Sequence, residues 1–155
     1  MALTQTPVTG QESKLYYNSA TYASPTWVEI TKCIDVTISI TASEVTTNAR
    51  ESAWKLTRQG LKELAISFNY LHKQGTDAVF DAIRAAFFSR TTYELLALDG
   101  PATESGCQGI RAHCQFFSNT LNQGLEDAST VDFEAKPVYA EESAALVVPS
   151  WFTAS

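Results

Sequence analysis

The chain lacks the marks of targeting, membrane insertion and metal chemistry. The N-terminus, Met1-Ala-Leu-Thr-Gln-Thr-Pro-Val-Thr-Gly10, has neither a basic start nor an apolar core, so no secretory signal is read there. No apolar run approaches the ~20 residues that a membrane helix needs, and no Asn-x-Ser/Thr acceptor occurs. Cysteine is scarce and odd in number, with Cys33, Cys107 and Cys114 alone, which suits reduced thiols better than a disulfide framework. The expectation is a protein made and folded in a cytoplasm. Histidine is scarcer still, at His72 and His113. There is no Cys-x-x-Cys and no His-x-x-x-His, so the neighbours His113 and Cys114, with Cys107 nearby, form no metal or nucleophile motif. On a strand, the side chains of His113 and Cys114 point to opposite faces.

Positive charge is in short supply as well. Eleven Lys and Arg against seventeen Asp and Glu leave a net charge of −6 and a pI near 4.8. Ordinary nucleic-acid affinity comes from Lys and Arg neutralising phosphates, so this balance argues against it. The pair Gly106 and Gly109 lacks the Lys and the helix start of a phosphate loop and reads as a turn. Asp35, Glu44, Asp132 and Glu134 could be taken as paired carboxylates for hydrolysis, but they fall on the polar sides of alternating segments and read as solvated strand faces.

What is present is a strand pattern. At 155 residues, 45% hydrophobic and 18% charged, the chain is sized for one ordinary globular core. Leu64, Ile66, Phe68 and Tyr70 alternate with polar or small residues over Leu61–His72, the period of a half-buried strand. Ile34, Val36, Ile38 and Ile40 alternate likewise with Asp35, Thr37 and Ser39, which predicts one core face and one wet face. Ile110, Ala112, Cys114 and Phe116 form a third such set, and Val131, Phe133 and Ala135 a fourth. Lys14–Tyr17 and Thr91–Asp99 read as further strands. Between Thr76 and Ser89 the spacing changes to three and four, with Val79, Phe80, Ile83, Ala86 and Phe87 on one stripe, so one helix covers a mainly β core.

The remaining segments read as connections. Asn18–Thr26 is a small, polar surface loop, Ala49–Gly60 a long loop around Trp54, and Asn119–Ser129 a turn or loop. Thr41–Asn48 has β propensity but weak amphipathicity, so burial specifies it poorly and it is a candidate for pairing with something outside the monomer. The expected organisation is a flexible arm over residues 1–13, a β domain over 14–139 with its helix at about 76–89, and a C-terminal arm over 140–155. That last arm is too apolar for a free end, and docks on its own domain or on a neighbour.

Taken together, Lys14-Leu-Tyr-Tyr, Trp27-Val-Glu-Ile, Ile34-Asp-Val-Thr-Ile-Ser-Ile, Thr46-Thr-Asn-Ala-Arg-Glu-Ser and Gly60-Leu-Lys-Glu-Leu-Ala-Ile-Ser-Phe resemble the major tail tube proteins of long, non-contractile-tailed bacteriophages. The similarity is one of pattern and order over Lys14–Tyr139. It implies a β-sandwich or β-barrel-like fold flanked by one α-helix, assembled as six-membered rings that stack into a hollow tail tube. Such a tube is part of the virion, is assembled in the host bacterial cytoplasm, encloses a tape measure protein, meets tail tip and terminator proteins, and passes DNA into the host cell without binding it specifically. The resemblance implies no cofactor, no metal and no enzymatic activity.

On this reading Arg50, Glu51, Trp54, Lys55 and Arg58 are candidates for ring stacking. Asp35, Thr37, Ser39, Asp132 and Glu134 are candidates for the lumen or another wet face. Leu146, Val147, Val148, Trp151 and Phe152 are candidates for an arm docked on the tube exterior or on an adjacent subunit. The alternatives are a ring-forming tube protein of a related secretion or injection machine, a monomeric β-sandwich that binds carbohydrate through Trp27, Trp54 and Trp151, and an enzyme, for which no convergent site is visible.

Overall fold

Apolar alternation sets the strands. In the computed structural model, which describes residues 6–155, these are β1 (Lys14–Asn18), β2 (Trp27–Glu29), β3 (Cys33–Thr46), β4 (Thr57–Leu71), β5 (Tyr93–Leu98), β6 (Gln108–Asn122), β7 (Thr130–Pro137), β8 (Glu141–Glu142), β9 (Ala145–Leu146) and β10 (Ser150–Thr153), with α1 (Ala78–Ser89) between β4 and β5. The main sheet is antiparallel and runs β2-β1-β5-β6-β7-β4-β3.

Strand β6 turns this sheet into two leaves. Its first half, Gly109–Cys114, pairs with β5 on one edge, and its second half, Cys114–Asn122, pairs with β7 on the other. A register slip between Phe116 and Ser118 marks the bend. The leaf β2-β1-β5 thus folds over the leaf β7-β4-β3, giving the sandwich-like fold that the resemblance implies. Strand β10 lies on the β7 side of β6, against Gln108–Arg111. Gly109 permits the tight join with β5, because a Cβ there would lie 1.7 Å from the carbonyl oxygen of Ala97.

The core lies between the leaves and is capped by α1. Leu64, Ile66, Phe68 and Tyr70 meet Ile110, Ala112, Cys114 and Phe116, and then Val131, Phe133 and Ala135, as the alternation predicts. Phe68, Tyr70, Phe80, Phe116 and Phe133 form an aromatic cluster with centroids 5.4 to 6.5 Å apart. Burial pushes the Cys114 thiol up to about 12, so it stays an inert thiol within this core. The helix starts on Asp77 and not on Thr76: the Asp77 carboxylate accepts the Phe80 N–H, the Tyr70 hydroxyl at 2.8 Å and Lys32 Nζ at 2.6 Å. It ends at Arg90, whose φ of 57° is left-handed, where the expected stop falls.

A second, smaller core explains the tail. Leu96 and Leu98 point away from the main core and, with Tyr16, pack against Trp27, Ala102 and Phe152. The C-terminal segment therefore docks on its own sheet through β10. Before it, β8 and β9 form a small hairpin turning at Ser143 and Ala144, both with positive φ. Of the arm expected over residues 1–13, residues 1–5 lie outside the described residues, and the rest precedes β1 without a strand of its own.

Three expectations need correction. The apolar face of β3 is not core: Ile34 and Ile40 are 53% exposed and Val36 and Ile38 are 41% exposed. Val36, Ile38 and Ile40 share a face with Phe68, Ile66 and Leu64 of β4, but β3 overhangs the layer that covers those residues. The loop expected over 49–60 is shorter, since β4 already begins at Thr57 and pairs with Thr46. Strand β6 continues through Asn119–Asn122, held by β7, where a loop was expected.

Candidate subunit interface

An unfilled surface belongs to β3. As the last strand of the sheet it has a free edge, fourteen residues long and without proline, that presents unpaired backbone donors and acceptors. Beneath it opens a cleft of about 1190 Å³, with Ile34, Val36, Ile38 and Ile40 on one wall and Ile110 and Trp151 among the residues opposite. Covering the exposed half of four such side chains is worth about 1 kcal/mol each. Cys33 sits at the inner end of this wall, where burial pushes its thiol up to about 12.

Farther along, the β3–β4 hairpin leaves the body altogether. Strand β7 accompanies β4 only from Ile66 to Leu71, so the ribbon from Thr41 to Glu63 has no neighbour on its β4 edge. Almost every residue of that ribbon is exposed on both faces. Its turn is nonetheless organised: Asn48 Oδ1 accepts the Leu56 N–H at 2.8 Å and Ser52 Oγ accepts the Trp54 N–H at 3.1 Å. The structure gathers Arg50, Glu51, Trp54, Lys55 and Arg58 at this tip, with Trp54 80% exposed.

The wet-face candidates converge too. Residues directly opposite each other in an antiparallel pair share a face. Thr37, Ser67, Glu134 and Ser118 form one row across β3, β4, β7 and β6. Asn69, Asp132 and Thr120 form the next, while Ser39 stands beside Ala65. The outer face of this leaf is thus a field of hydroxyls and amides with Asp132 and Glu134 in it, and Lys136 lies 3.6 Å from Glu134. Asp35 falls in the register slip between Cys33 and Val36 and stands apart from these rows.

Of the tail candidates, Phe152 is packed and Val147 half-buried, while Leu146, Val148 and Trp151 remain exposed. Trp151 Nε1 donates to Gln108 Oε1 at 3.0 Å, which holds its ring at the mouth of the cleft.

Sequence reasoning missed a buried charged cluster on the other leaf. Glu94 of β5 is 4% exposed and takes Arg111 Nε on one carboxylate oxygen. Arg111 also donates to the Tyr22 carbonyl at 2.9 Å and lies over the rings of Tyr22 and Trp27. His113 stands 3.5 Å from Glu94 and 3.8 Å from Glu142 of β8, so it faces this cluster while Cys114 faces the core. Asn18 closes the same loop by accepting the N–H groups of Ala20 and Thr26. The available signal was a Glu and an Arg set diagonally on neighbouring strands, with Glu94 opposite His113 and Arg111 opposite Leu96, which requires the register to be known.

The fold is a bent antiparallel sheet with one capping helix, a long open edge and an overhanging hairpin. No protein-family model matches the chain, and none of the curated proteins does. Solved structures do. The SPP1 tail tube superimposes with a TM-score of 0.73 at 15% identity, over 95% of this chain and 80% of that one. A tail chain of the empty gene transfer agent particle, refined helically with C6 symmetry, gives 0.68 at 15% identity, over 90% and 97%. A chain of the sheath–tube complex of an extracellular contractile injection system gives 0.63 at 8% identity, over 95% and 92%. The chain has the tail tube fold.

Proposed function

We propose that this chain is a structural subunit that joins copies of itself into rings, stacked as a hollow tube of the phage-tail type. The observation that carries the reading is β3, an edge strand whose apolar face stays half exposed above an open cleft. A soluble monomer gains nothing from such a strip. In a ring, a neighbour's chain covers the cleft and pairs with the free edge, so that closure removes every edge. The match to a tail refined with C6 symmetry supports six subunits per ring.

The polar face of the β7-β4-β3 leaf then lines the lumen. Hydroxyls and carboxylates dominate there, and Lys136 on the same face is paired with Glu134, so phosphate finds little cationic grip and like-charge repulsion keeps a passing genome off the wall. The tube role implies a tape measure protein inside it, terminator and tip proteins at its ends, assembly in the host cytoplasm and no catalysis. The likeness to an injection-system tube keeps that related machine as the second reading. The carbohydrate module has no such support. Trp27 packs against Phe152 and Arg111, Trp54 caps the hairpin and Trp151 faces the cleft, so the tryptophans form no common platform.

The test is solution mass by light scattering for the wild-type chain and for the Val36→Asp/Ile38→Asp variant. Both positions are already solvent-exposed in the subunit, so the variant is expected to stay folded and monomeric while the wild type forms rings. A variant that assembles like the wild type overturns the role of β3.

A further inference from the structure

The charges of the chain are unevenly used. Of its eleven Lys and Arg, five (Lys14, Lys32, Arg84, Arg111 and Lys136) are held in ion pairs among the described residues. Four of the remaining six, Arg50, Lys55, Arg58 and Lys62, sit on the projecting hairpin. An isolated two-stranded ribbon is marginal in water, so a ribbon exposed on both faces calls for a partner. Its tip carries Arg50, Lys55 and Arg58 against the single acid Glu51, around an exposed Trp54, in a chain whose net charge is −6.

The β6–β7 loop has the complementary character, with Lys73 as the cation that follows β4 at the same end. Thr130 pairs with Leu71, so the β6–β7 loop lies at the far end of β4 from the hairpin tip. Between Asn122 and Thr130 that loop contains Glu126 and Asp127 and no Lys or Arg. Neither acid joins an ion pair among the described residues. Leu125 beside them is fully exposed, at 101%. Fourteen residue steps of strand, about 45 Å, separate the two poles along β4.

We infer that the basic hairpin tip of one copy seats on the acidic β6–β7 loop of a second copy in the next ring, with Arg50, Lys55 and Arg58 facing Glu126 and Asp127, and Trp54 against Leu125. The inference rests on the tube reading. A contact between two different ends of the same molecule is head-to-tail and does not close on itself, so it propagates along one axis and gives the tube a polarity. The lateral contact at β3 is apolar, whereas this axial one is largely ionic. Ring formation and tube elongation therefore differ in their response to salt.

The experiment uses the full chain in two reversed forms, Lys55→Glu/Arg58→Glu and Glu126→Lys/Asp127→Lys, alone and mixed. Each alone places like charges at both poles. It is expected to form rings but to raise the concentration needed for elongation about tenfold or more. The mixture restores complementarity at every junction, since each variant's tip matches the other's loop, and is expected to grow tubes of alternating rings. For the wild type, raising NaCl from about 0.1 M to about 1 M is expected to shorten tubes while leaving rings intact. Reversed variants that elongate alone like the wild type, a mixture that fails to grow while each variant still forms rings, or salt-insensitive tubes overturn the axial contact and leave the tube reading standing. A wild-type chain that forms no rings overturns both. If a reversed variant fails to fold, the salt series on the wild type decides the matter.

Discussion

Glu94 is buried among apolar neighbours on β5, with one oxygen on Arg111 and His113 close to the other. A buried charge is tolerated only when paired, and the pairing here also ties down the Tyr22 loop through the Arg111 guanidinium. Glu94→Ala leaves that guanidinium buried without its counter-charge. The expected loss is about 3 kcal/mol of unfolding free energy, read as a lower denaturant midpoint; a loss under ~1 kcal/mol contradicts the assigned role. None of this was legible beforehand. Alternation identifies which residues face inward but not which strands are neighbours, and Glu94 and Arg111 come together only through the β5–β6 register.

Helix α1 shows the opposite case, an element whose span was readable and whose cap was not. The three-and-four spacing of Phe80, Ile83 and Ala86 located the helix, and those residues are its buried ones. Thr76 and Asp77 both suit a cap by type. The choice falls to Asp77, whose carboxylate also takes the Tyr70 hydroxyl and the ammonium of Lys32, far off in sequence. Burial alone would raise the Asp77 pKa, but the hydrogen bonds from Lys32, Tyr70 and the Phe80 N–H, with the Lys32 charge, outweigh it and hold it below the usual carboxylate value. A depressed folded-state pKa gives stability that is present above the unfolded value of about 4 and is lost as pH falls through the folded value. The urea midpoint is therefore expected to fall between about pH 6 and about pH 3, and Asp77→Asn, which keeps a cap but not the charge, to flatten that fall. An identical fall in the variant contradicts the assignment. Strand β3 errs in a more instructive way. Its alternation was read as half-buried, and the reading of period was right, yet the burying surface is missing from the subunit. On the proposed tube reading, the pattern records burial by a neighbouring copy that the single chain does not contain.

At the scale of the molecule, three surfaces divide the labour of the proposed assembly. The apolar strip and free edge of β3 face sideways, the hairpin tip and the β6–β7 loop lie at opposite poles, and the polar face of the β7-β4-β3 leaf is left for the channel. The tail, expected to dock on its own domain or on a neighbour, packs on its own sheet at its end: β10 joins β6, and Phe152 closes the second core. The sheet order and the bend at β6 could not be read from the sequence, because they rest on long-range pairings that leave no periodic trace. The central claim is that the open cleft beneath β3 is filled by a second copy. Negative-stain electron microscopy of the purified chain over a range of concentrations tests it most directly. The account predicts rings with the six-fold symmetry of the related tail, passing into hollow tubes as concentration rises. A chain that stays monomeric at every concentration, with rings absent, contradicts it.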